Sequence, residues 1–265
     1  MQILSCDIGG SKIAYAIVDE NKKIVTDVHT MLTPVTVRDI KEFFMKIAKE
    51  NDFDGFALAT AGVVLDNKLV GKPNNLPEGY ENIDWTEIFR VPIVVENDAN
   101  AAMWAEYKLG NLRGVKHGVM LTLGTDVGCG IICNGQVLKG KGGAAGEVHF
   151  ECSGSALKNI MRKNGGTEQD CFKIKEMSVH GDMIAQESLR SWEENLLSAI
   201  QEINNSLDTE VFILSGSLAK IVDYVKINTM LKILIKHGTP QVKPAICGTN
   251  AGLIGAAMIW GDTYV

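Results

Sequence analysis

The 265-residue chain has no apolar run approaching the ~20 residues that cross a bilayer, so no membrane-spanning helix is expected. It has no basic leader followed by an apolar stretch at Met1–Asp7, which predicts no signal peptide and a cytoplasmic protein. It has no excess of positive charge either: 26 Lys and Arg stand against 32 Asp and Glu, a formal charge of −6. Nucleic-acid binding, which usually rests on a basic face, is therefore not expected. Six cysteines are scattered at positions 6, 129, 133, 152, 171 and 247 without one C-x-x-C pair. A four-cysteine zinc site is disfavoured, and small buried thiols in a reducing compartment are expected instead. Low-complexity segments and charged tails are missing too. At 46% hydrophobic and 22% charged, the composition excludes disorder and suits one large globular domain or two smaller ones.

What the chain does have is an alternation of strand and helix signals. Gln2–Asp7 is apolar-rich, Gly9-Gly10 breaks it, and Lys12–Val18 resumes with Ile13, Tyr15 and Ile17 at the strand period of two, which predicts a hairpin. A turn at Asp19–Lys22 and a third strand at Lys23–Val28 are expected to follow. Thr36 reads as an N-cap, with Asp39 three residues on, of a helix whose Ile40, Phe43, Phe44 and Ile47 make one apolar stripe. Asp54–Ala59 and Pro92–Val95 suit interior strands, and Ala99–Leu109 a helix closed by Gly110. The order β-β-β-α-β-β-α predicts an α/β layer structure.

The second half repeats the theme. His117–Leu123 reads as a strand, Gly124–Gly130 as a glycine-rich turn and Gly130–Cys133 as a return strand. Asn134-Gly135 then supplies a tight hairpin turn before Gln136–Leu138. Asp182–Ser206 is a long helix with Leu189, Trp192, Leu196, Ile200 and Ile203 on one side. Glu210–Leu214 is a strand broken by Ser215-Gly216-Ser217, and Ala251–Trp260 a helix whose Gly252, Gly255 and Ala256 allow close packing. Two halves that each open strand, glycine turn, strand predict an internally duplicated, two-lobed fold.

Three glycine-bearing turns that follow strands are candidate anion sites: Asp7–Lys12, Gly124–Gly130 and Leu214–Leu218. Glycine lets backbone N–H groups approach a ligand with no Cβ in the way, Ser11, Thr125 and Ser217 add hydroxyl donors, and Lys12 adds a cation. Asp7, at a strand tip, could hold Mg²⁺ through water. No G-x-x-x-x-G-K-[ST] motif is present, and Gly140-x-Gly142-x-x-Ala145 falls in a loop, not between a strand and a helix, so the usual nucleotide fingerprints do not apply. In Glu96-Asn97-Asp98-Ala99-Asn100, Asp98 is either an N-cap or a carboxylate placed to take a proton from a hydroxyl nucleophile. The small-residue run Gly142–Gly146 delivers Glu147, His149 and Glu151, which together could grip several hydroxyls.

With these residues in view, the chain resembles the ROK family (repressors, open reading frames, kinases), whose sugar kinases have the actin/hexokinase fold. Asp7-Ile8-Gly9-Gly10-Ser11-Lys12 is similar to the family's first phosphate motif, D-x-G-G-T-K, with Ser for Thr; Glu96–Ala102 is similar to its catalytic motif; and Gly124–Gly130 resembles its second phosphate loop, with Asp126 in place of a glycine. Ala61-Gly62-Val63-Val64 resembles a sugar-contacting turn, Asn74-Asn75-Leu76-Pro77 a segment that closes over the sugar, and Gly143–Glu147 a G-x-x-G-E loop. The family's cysteine-rich zinc loop has no counterpart: Val148-His149 follows Glu147, only Cys152 lies nearby, and Ser153–Leu157 resembles the sequence beyond the loop.

The resemblance implies a two-lobed, actin-like ATPase (ribonuclease H-like, duplicated) α/β fold with a central cleft, a small lobe at 1–113 joined by helix 251–265, and a larger lobe at 114–250. It implies an ATP-dependent kinase of a glucose-like hexose or an N-acetylhexosamine, acting at the 6-hydroxyl with Asp98 as general base. ATP would be held by Asp7, Gly9, Gly10, Ser11, Lys12, Gly124, Thr125, Gly128, Gly130 and Gly216, with Mg²⁺ held indirectly by Asp7. The sugar would meet Gly62, Asn75, Asn97, Asp98, Glu147, His149 and Glu151. A homodimer without structural zinc, without nucleic-acid or membrane partners, is expected; the chain starts at its first strand, where the family's repressors carry a DNA-binding segment. The alternative is a catalytically weak or inactive sugar-binding, regulatory protein of the same fold, which Asp126 and the missing zinc loop motivate.

Overall fold

A computed structural model describes residues 1–19, 24 and 26–265. The chain divides into two compact units, one of Met1–Gly110, Lys139–Ala145 and Cys247–Val265, the other of Asn111–Leu138 and Gly146–Ile246.

The first unit opens with the expected hairpin, β1 (Gln2–Ile8) antiparallel to β2 (Lys12–Asp19). The third strand is β3 (His29–Leu32), paired with Lys12–Tyr15 of β2, and not the expected Lys23–Val28. Residues 20–23 and 25 of the expected turn and strand lie outside the described residues. Of the rest, Ile24 makes only an isolated bridge to Val18, and Thr26 takes the N–H of Ile17 on its hydroxyl at 2.9 Å, so a side chain occupies a β2 amide there. Helix α1 (Val37–Glu50) starts where its cap says: Thr36 Oγ1 accepts from the N–H of Asp39, and Ile40, Phe44 and Ile47 are buried. β4 (Gly55–Thr60), the small hairpin β5 (Val64–Leu65) and β6 (Lys68–Leu69), α2 (Trp85–Ile88), β7 (Ile93–Asn97) and α3 (Asp98–Leu109) complete the first stretch.

The sheet order is β3-β2-β1-β4-β7, with β1, β4 and β7 parallel. One face is covered by an aromatic cluster in which Phe56 stacks on Phe89 at 4.0 Å and Phe44 meets Trp85 edge-on at 5.2 Å. The other face takes the C-terminal helix (Ala251–Tyr264) through Leu253, Ala256, Ala257 and Trp260. That helix sits deep because Gly255 lies against the backbone of Ala101, where a Cβ would overlap the carbonyl. Gly110 does end α3, but with φ −108°, not in the left-handed cap conformation. A Cβ there would collide with the side chain of Glu106, a buried carboxylate that accepts the N–H of Cys247 at 2.6 Å.

The second unit repeats the plan. β8 (Gly118–Leu123), β9 (Val127–Cys133) and β10 (Gln136–Val137) form an antiparallel meander, and β11 (Val211–Ser215) and β12 (Gln241–Pro244) extend it in parallel, in the order β10-β9-β8-β11-β12. Strand order and direction match the first sheet position for position, so the duplication is present in the topology. Asn134 (φ 53°) and Gly135 (φ 75°) both adopt the left-handed conformations that a two-residue hairpin turn requires. The glycine turn is shorter than expected. Gly128 pairs with Thr122 and Gly130 with Met120, so both belong to β9 and the loop is Gly124–Asp126 alone.

Helices α4 (Gly154–Lys163), α5 (Cys171–Val179), α6 (Met183–Leu207) and α7 (Tyr224–Leu234) complete this unit. Helix α6 is capped by Asp182, and all five apolar residues of its expected stripe are buried in one core with Leu121, Phe212 and Leu214.

Candidate functional site

In the first unit the register of three adjacent parallel strands sets out the candidate residues. Asp7 of β1 is level with Ala59 of β4, which is level with Glu96 of β7; one step on, Ile8, Thr60 and Asn97 are level. At an interstrand spacing of about 4.8 Å, Asp7 and the Glu96–Asp98 segment stand roughly 10 Å apart at the carboxyl ends of the strands. Open α/β sheets bind ligands at that edge.

Asn97, not Asp98, is the N-cap of α3: its Oδ1 accepts the N–H of Asn100 at 3.1 Å, while its Nδ2 donates to the carbonyl of Gly62 at 3.0 Å. Gly62 (φ +105°) can turn toward it because it carries no Cβ. Asn97 thus takes the N-cap position that the sequence left open for Asp98. Asp98 is the first residue of the helix, half-buried at the positive end of its backbone dipole, with Oδ1 accepting from Ala99 N–H at 2.7 Å. Behind it, Glu96 is buried. Its Oε1 accepts from Asn97 N–H at 3.0 Å and Asn100 Nδ2 at 3.2 Å, and its Oε2 meets the ammonium of Lys139 at 2.7 Å. The buried Oδ1 of Asn100 has no hydrogen-bond partner among the described residues.

The Gly9–Lys12 turn is closed by Gly9 N–H donating to the Lys12 carbonyl at 3.0 Å, and Thr33 Oγ1 holds the Gly9 carbonyl at 2.6 Å. Gly10, Ser11 and Lys12 are exposed. Gly10 is pressed against Asn75; a Cβ on Gly10 would lie 2.5 Å from Asn75 Cβ and 2.7 Å from its carbonyl oxygen. The structure thus joins a candidate phosphate turn to a candidate sugar residue. Asp7 is half-buried, and a Cβ on Gly252, in the first turn of the C-terminal helix, would come within 2.5 Å of its Oδ2. Burial raises the Asp7 carboxyl to a pKa of about 6, against the opposing pull of the Lys12 charge.

In the second unit, Thr122 of β8 is level with Ser215 of β11, so the Gly124 turn and Gly216 leave the sheet at neighbouring carboxyl ends. Gly216 (φ +83°) lies against the backbone of Leu123, a place no side chain fits. The start of α4 closes on the same turn: Gly154 N–H donates to the Gly124 carbonyl at 2.8 Å and Ser155 N–H to that of Thr125 at 3.2 Å. Thr125 and Asp126 are exposed there. Gly124, Thr125 and Gly216 are therefore brought together, while Gly128 and Gly130 are strand residues.

Glu147, His149 and Glu151 are exposed on the segment leading to α4. Gly146 (φ +96°) packs on the carbonyl of Cys129, which places the Glu147 charge near that thiol; burial first and this charge second push Cys129 up to about 12. The turn after Glu151 is held from α6, where Asn195 Nδ2 donates to the Glu151 carbonyl at 2.9 Å and Trp192 Nε1 to that of Ser153 at 3.0 Å. Ser153 in turn caps α4. Sequence reasoning did not single out Glu96, Lys139, Trp192 or Asn195 as site residues. Glu96 carried one signal, a carboxylate at the end of an apolar strand; the partners of the others lie too far along the chain to leave a local pattern.

A sequence profile of the ROK family matches residues 3–151 and 149–263. The N-acetylmannosamine kinase of Salmonella paratyphi B is 32% identical over 99% of this chain and 100% of its own length. The glucokinase of Streptomyces coelicolor is 28% identical over 96% of each chain. Among solved structures, a ROK family glucokinase from Streptomyces griseus in complex with glucose and AMPPNP superposes with a TM-score of 0.76 at 25% identity, covering 98% of this chain and 99% of that one. With profile, relatives and duplicated α/β topology in agreement, this chain belongs to the ROK family and has its actin-like ATPase fold.

Proposed function

We propose that the protein is an ATP-dependent kinase that phosphorylates a hexose or an N-acetylhexosamine at the 6-hydroxyl, with Asp98 as general base. The observation that carries this reading is the arrangement at the start of α3: Asn97 occupies the N-cap, and the Asp98 carboxylate stands beside it at the first helical position, half-buried at the carboxyl ends of the parallel strands. Asp98 would take the proton of the sugar hydroxyl as that oxygen attacks the γ-phosphate in line, and would pass it to solvent after ADP leaves. Asn97, fixed at both ends of its amide, would hold the sugar-side turn at Gly62, with Asn75, Glu147, His149 and Glu151 taking further hydroxyls. The proposed phosphate contacts are Gly9, Gly10, Ser11 and Lys12 in the first unit and, separately, Gly124, Thr125, Gly128, Gly130 and Gly216 in the second.

The residues fit a magnesium ion as a water-mediated partner of Asp7. A half-buried carboxyl raised to about 6 is an anion short of solvation, which a divalent cation would supply. Among the described residues no group of three or more His, Cys, Asp or Glu could hold a metal, so waters and phosphate oxygens would provide its other ligands. When bound, such an ion offsets the charge of the phosphates. The relatives named above support sugar phosphorylation, one acting on N-acetylmannosamine and one on glucose by name.

The test is coupled ADP release with ATP and Mg²⁺ against glucose, mannose, fructose, N-acetylglucosamine and N-acetylmannosamine. Release that depends on one of these sugars is expected; release without any sugar contradicts the reading. A second reading, a sugar-binding regulatory protein with little or no turnover, draws on the exposed Asp126 in the candidate phosphate turn, where a carboxylate repels phosphate. Sugar binding by calorimetry without ADP release would favour it.

A further inference from the structure

We infer that Lys139 is a positioning residue for this transfer: its ammonium, seated on the buried carboxylate of Glu96, holds the Asn97–Asn100 turn and with it Asp98. The inference rests on the kinase reading above and adds a residue to it. Glu96 is 1% exposed, and a carboxylate buried to that degree needs a counter-charge and hydrogen-bond partners on both oxygens. Its Oε1 is spent on the catalytic turn, accepting Asn97 N–H and Asn100 Nδ2; its Oε2 is spent on Lys139 at 2.7 Å. Remove the ammonium and a buried carboxylate is left without its counter-charge, a cost borne by the turn that its other oxygen holds.

Lys139 is also not a loose surface lysine. Its carbonyl accepts Ala145 N–H at 3.1 Å, closing the loop Lys139–Ala145, which turns at Gly140 (φ +69°) and Gly143 (φ +78°). Gly143 is seated so closely on β5 that a Cβ would lie 2.6 Å from the Val64 carbonyl oxygen. Two residues before Val64 is Gly62, whose carbonyl holds Asn97 Nδ2. The contacts make a closed circuit within the first unit, from Asn97 through Gly62, β5, the 139–145 loop and Lys139 back to Glu96 and Asn97. The ion pair completes it, and Asp98 is the next residue along the chain.

The test uses the full chain with Lys139→Met, Lys139→Arg and the double variant Glu96→Gln/Lys139→Met, read by amide hydrogen exchange and by steady-state kinetics on whichever sugar of the panel supports ADP release. In Lys139→Met, exchange at Asn97–Asn100 should quicken about tenfold or more while amides of the β8–β9 ladder keep their rates. Its kcat should fall roughly 10- to 100-fold with the sugar KM within about threefold, the signature of a displaced catalytic group rather than lost binding. Lys139→Arg, which keeps the charge, should restore both readouts. If Lys139→Met does not fold, the double variant, which removes the buried charge together with its counter-ion, carries the same expectations. Unchanged exchange at Asn97–Asn100, a kcat within twofold of the parent, a loss confined to KM, or a loss that Arg does not rescue each overturns the inference. If the parent protein releases no ADP with any sugar, the kinase reading falls, and the exchange rates alone decide whether Lys139 orders the turn.

Discussion

Asp7 shows how a single side chain can work against the fold that holds it. Its carboxyl is raised from 3.8 to about 6 because burial disfavours the charged form more than Lys12 favours it. The native state therefore binds this proton more tightly than the unfolded chain does. The group costs nothing below about pH 4, where both states are protonated; its cost builds as pH rises through about 6 and persists at neutrality. The shift corresponds to on the order of 2–3 kcal/mol as an upper limit, since part of the carboxylate reaches solvent. Urea unfolding in the presence of a chelator should find Asp7→Asn more stable than the parent near pH 7.5, with the gap closing toward about pH 4.5. A gap that does not change with pH would show that burial of the charge is not the cause.

Some of these residues could be read directly from the sequence, for local reasons. Thr36 and Asp182 are caps whose partners lie three residues away, and Asn134-Gly135 needs only its own two backbone conformations. Asp98 was open to two readings because an N-cap and a helix's first residue differ by one position, and only the hydrogen bond from Asn100 to Asn97 separates them. The Glu96–Lys139 pair joins positions far apart in the chain, and no local pattern announces it.

At the scale of elements, what was missed depends on partners. Val127–Gly130 looks like a loop because its glycines leave no alternating side chains; β8 makes it a strand by pairing with it. The third strand falls at His29–Leu32 because the register with β2 is fixed there, not by apolar content. The C-terminal helix was legible because Gly252, Gly255 and Ala256 advertise a close approach, and the structure uses it. Gly255→Ala should place a methyl on the Ala101 carbonyl and force the helix off its sheet, an overpacking cost of about 1–3 kcal/mol. A lower urea midpoint with an unchanged slope checks it, and a midpoint equal to the parent's would refute the packing argument.

On α6, Trp192→Phe keeps most of the apolar volume but removes one of the two donors to the Ser153 carbonyl, leaving Leu157 N–H, which should cost about 0.5–1.5 kcal/mol. The same change should raise the KM for sugar more than that for ATP, because the turn it loosens follows Glu147, His149 and Glu151. Equal effects on both constants would place the turn elsewhere in the reaction.

For the molecule as a whole, the duplication was visible as two strand–glycine–strand openings, and the matching sheet orders bear it out. What the pattern did not contain is the membership of Lys139–Ala145 in the first unit, flanked on both sides by chain that belongs to the second. Contacts to Glu96 and β5 decide that, and they exist only once the sheet is built. Each sheet presents its candidate residues at the carboxyl ends of its parallel strands: Asp7 and Asn97-Asp98 on one, Gly124 and Gly216 on the other. A repeated topology has thus put candidate phosphate turns at equivalent edges of the two sheets, and one sheet adds the carboxylate proposed to start the chemistry. That carboxylate is most directly examined by comparing Asp98→Asn with the parent on the best sugar, measuring kcat by ADP release and sugar affinity by calorimetry. The account predicts sugar affinity within a few-fold of the parent and a kcat lowered by about 10²–10⁴-fold; a kcat near the parent's in that variant would contradict it.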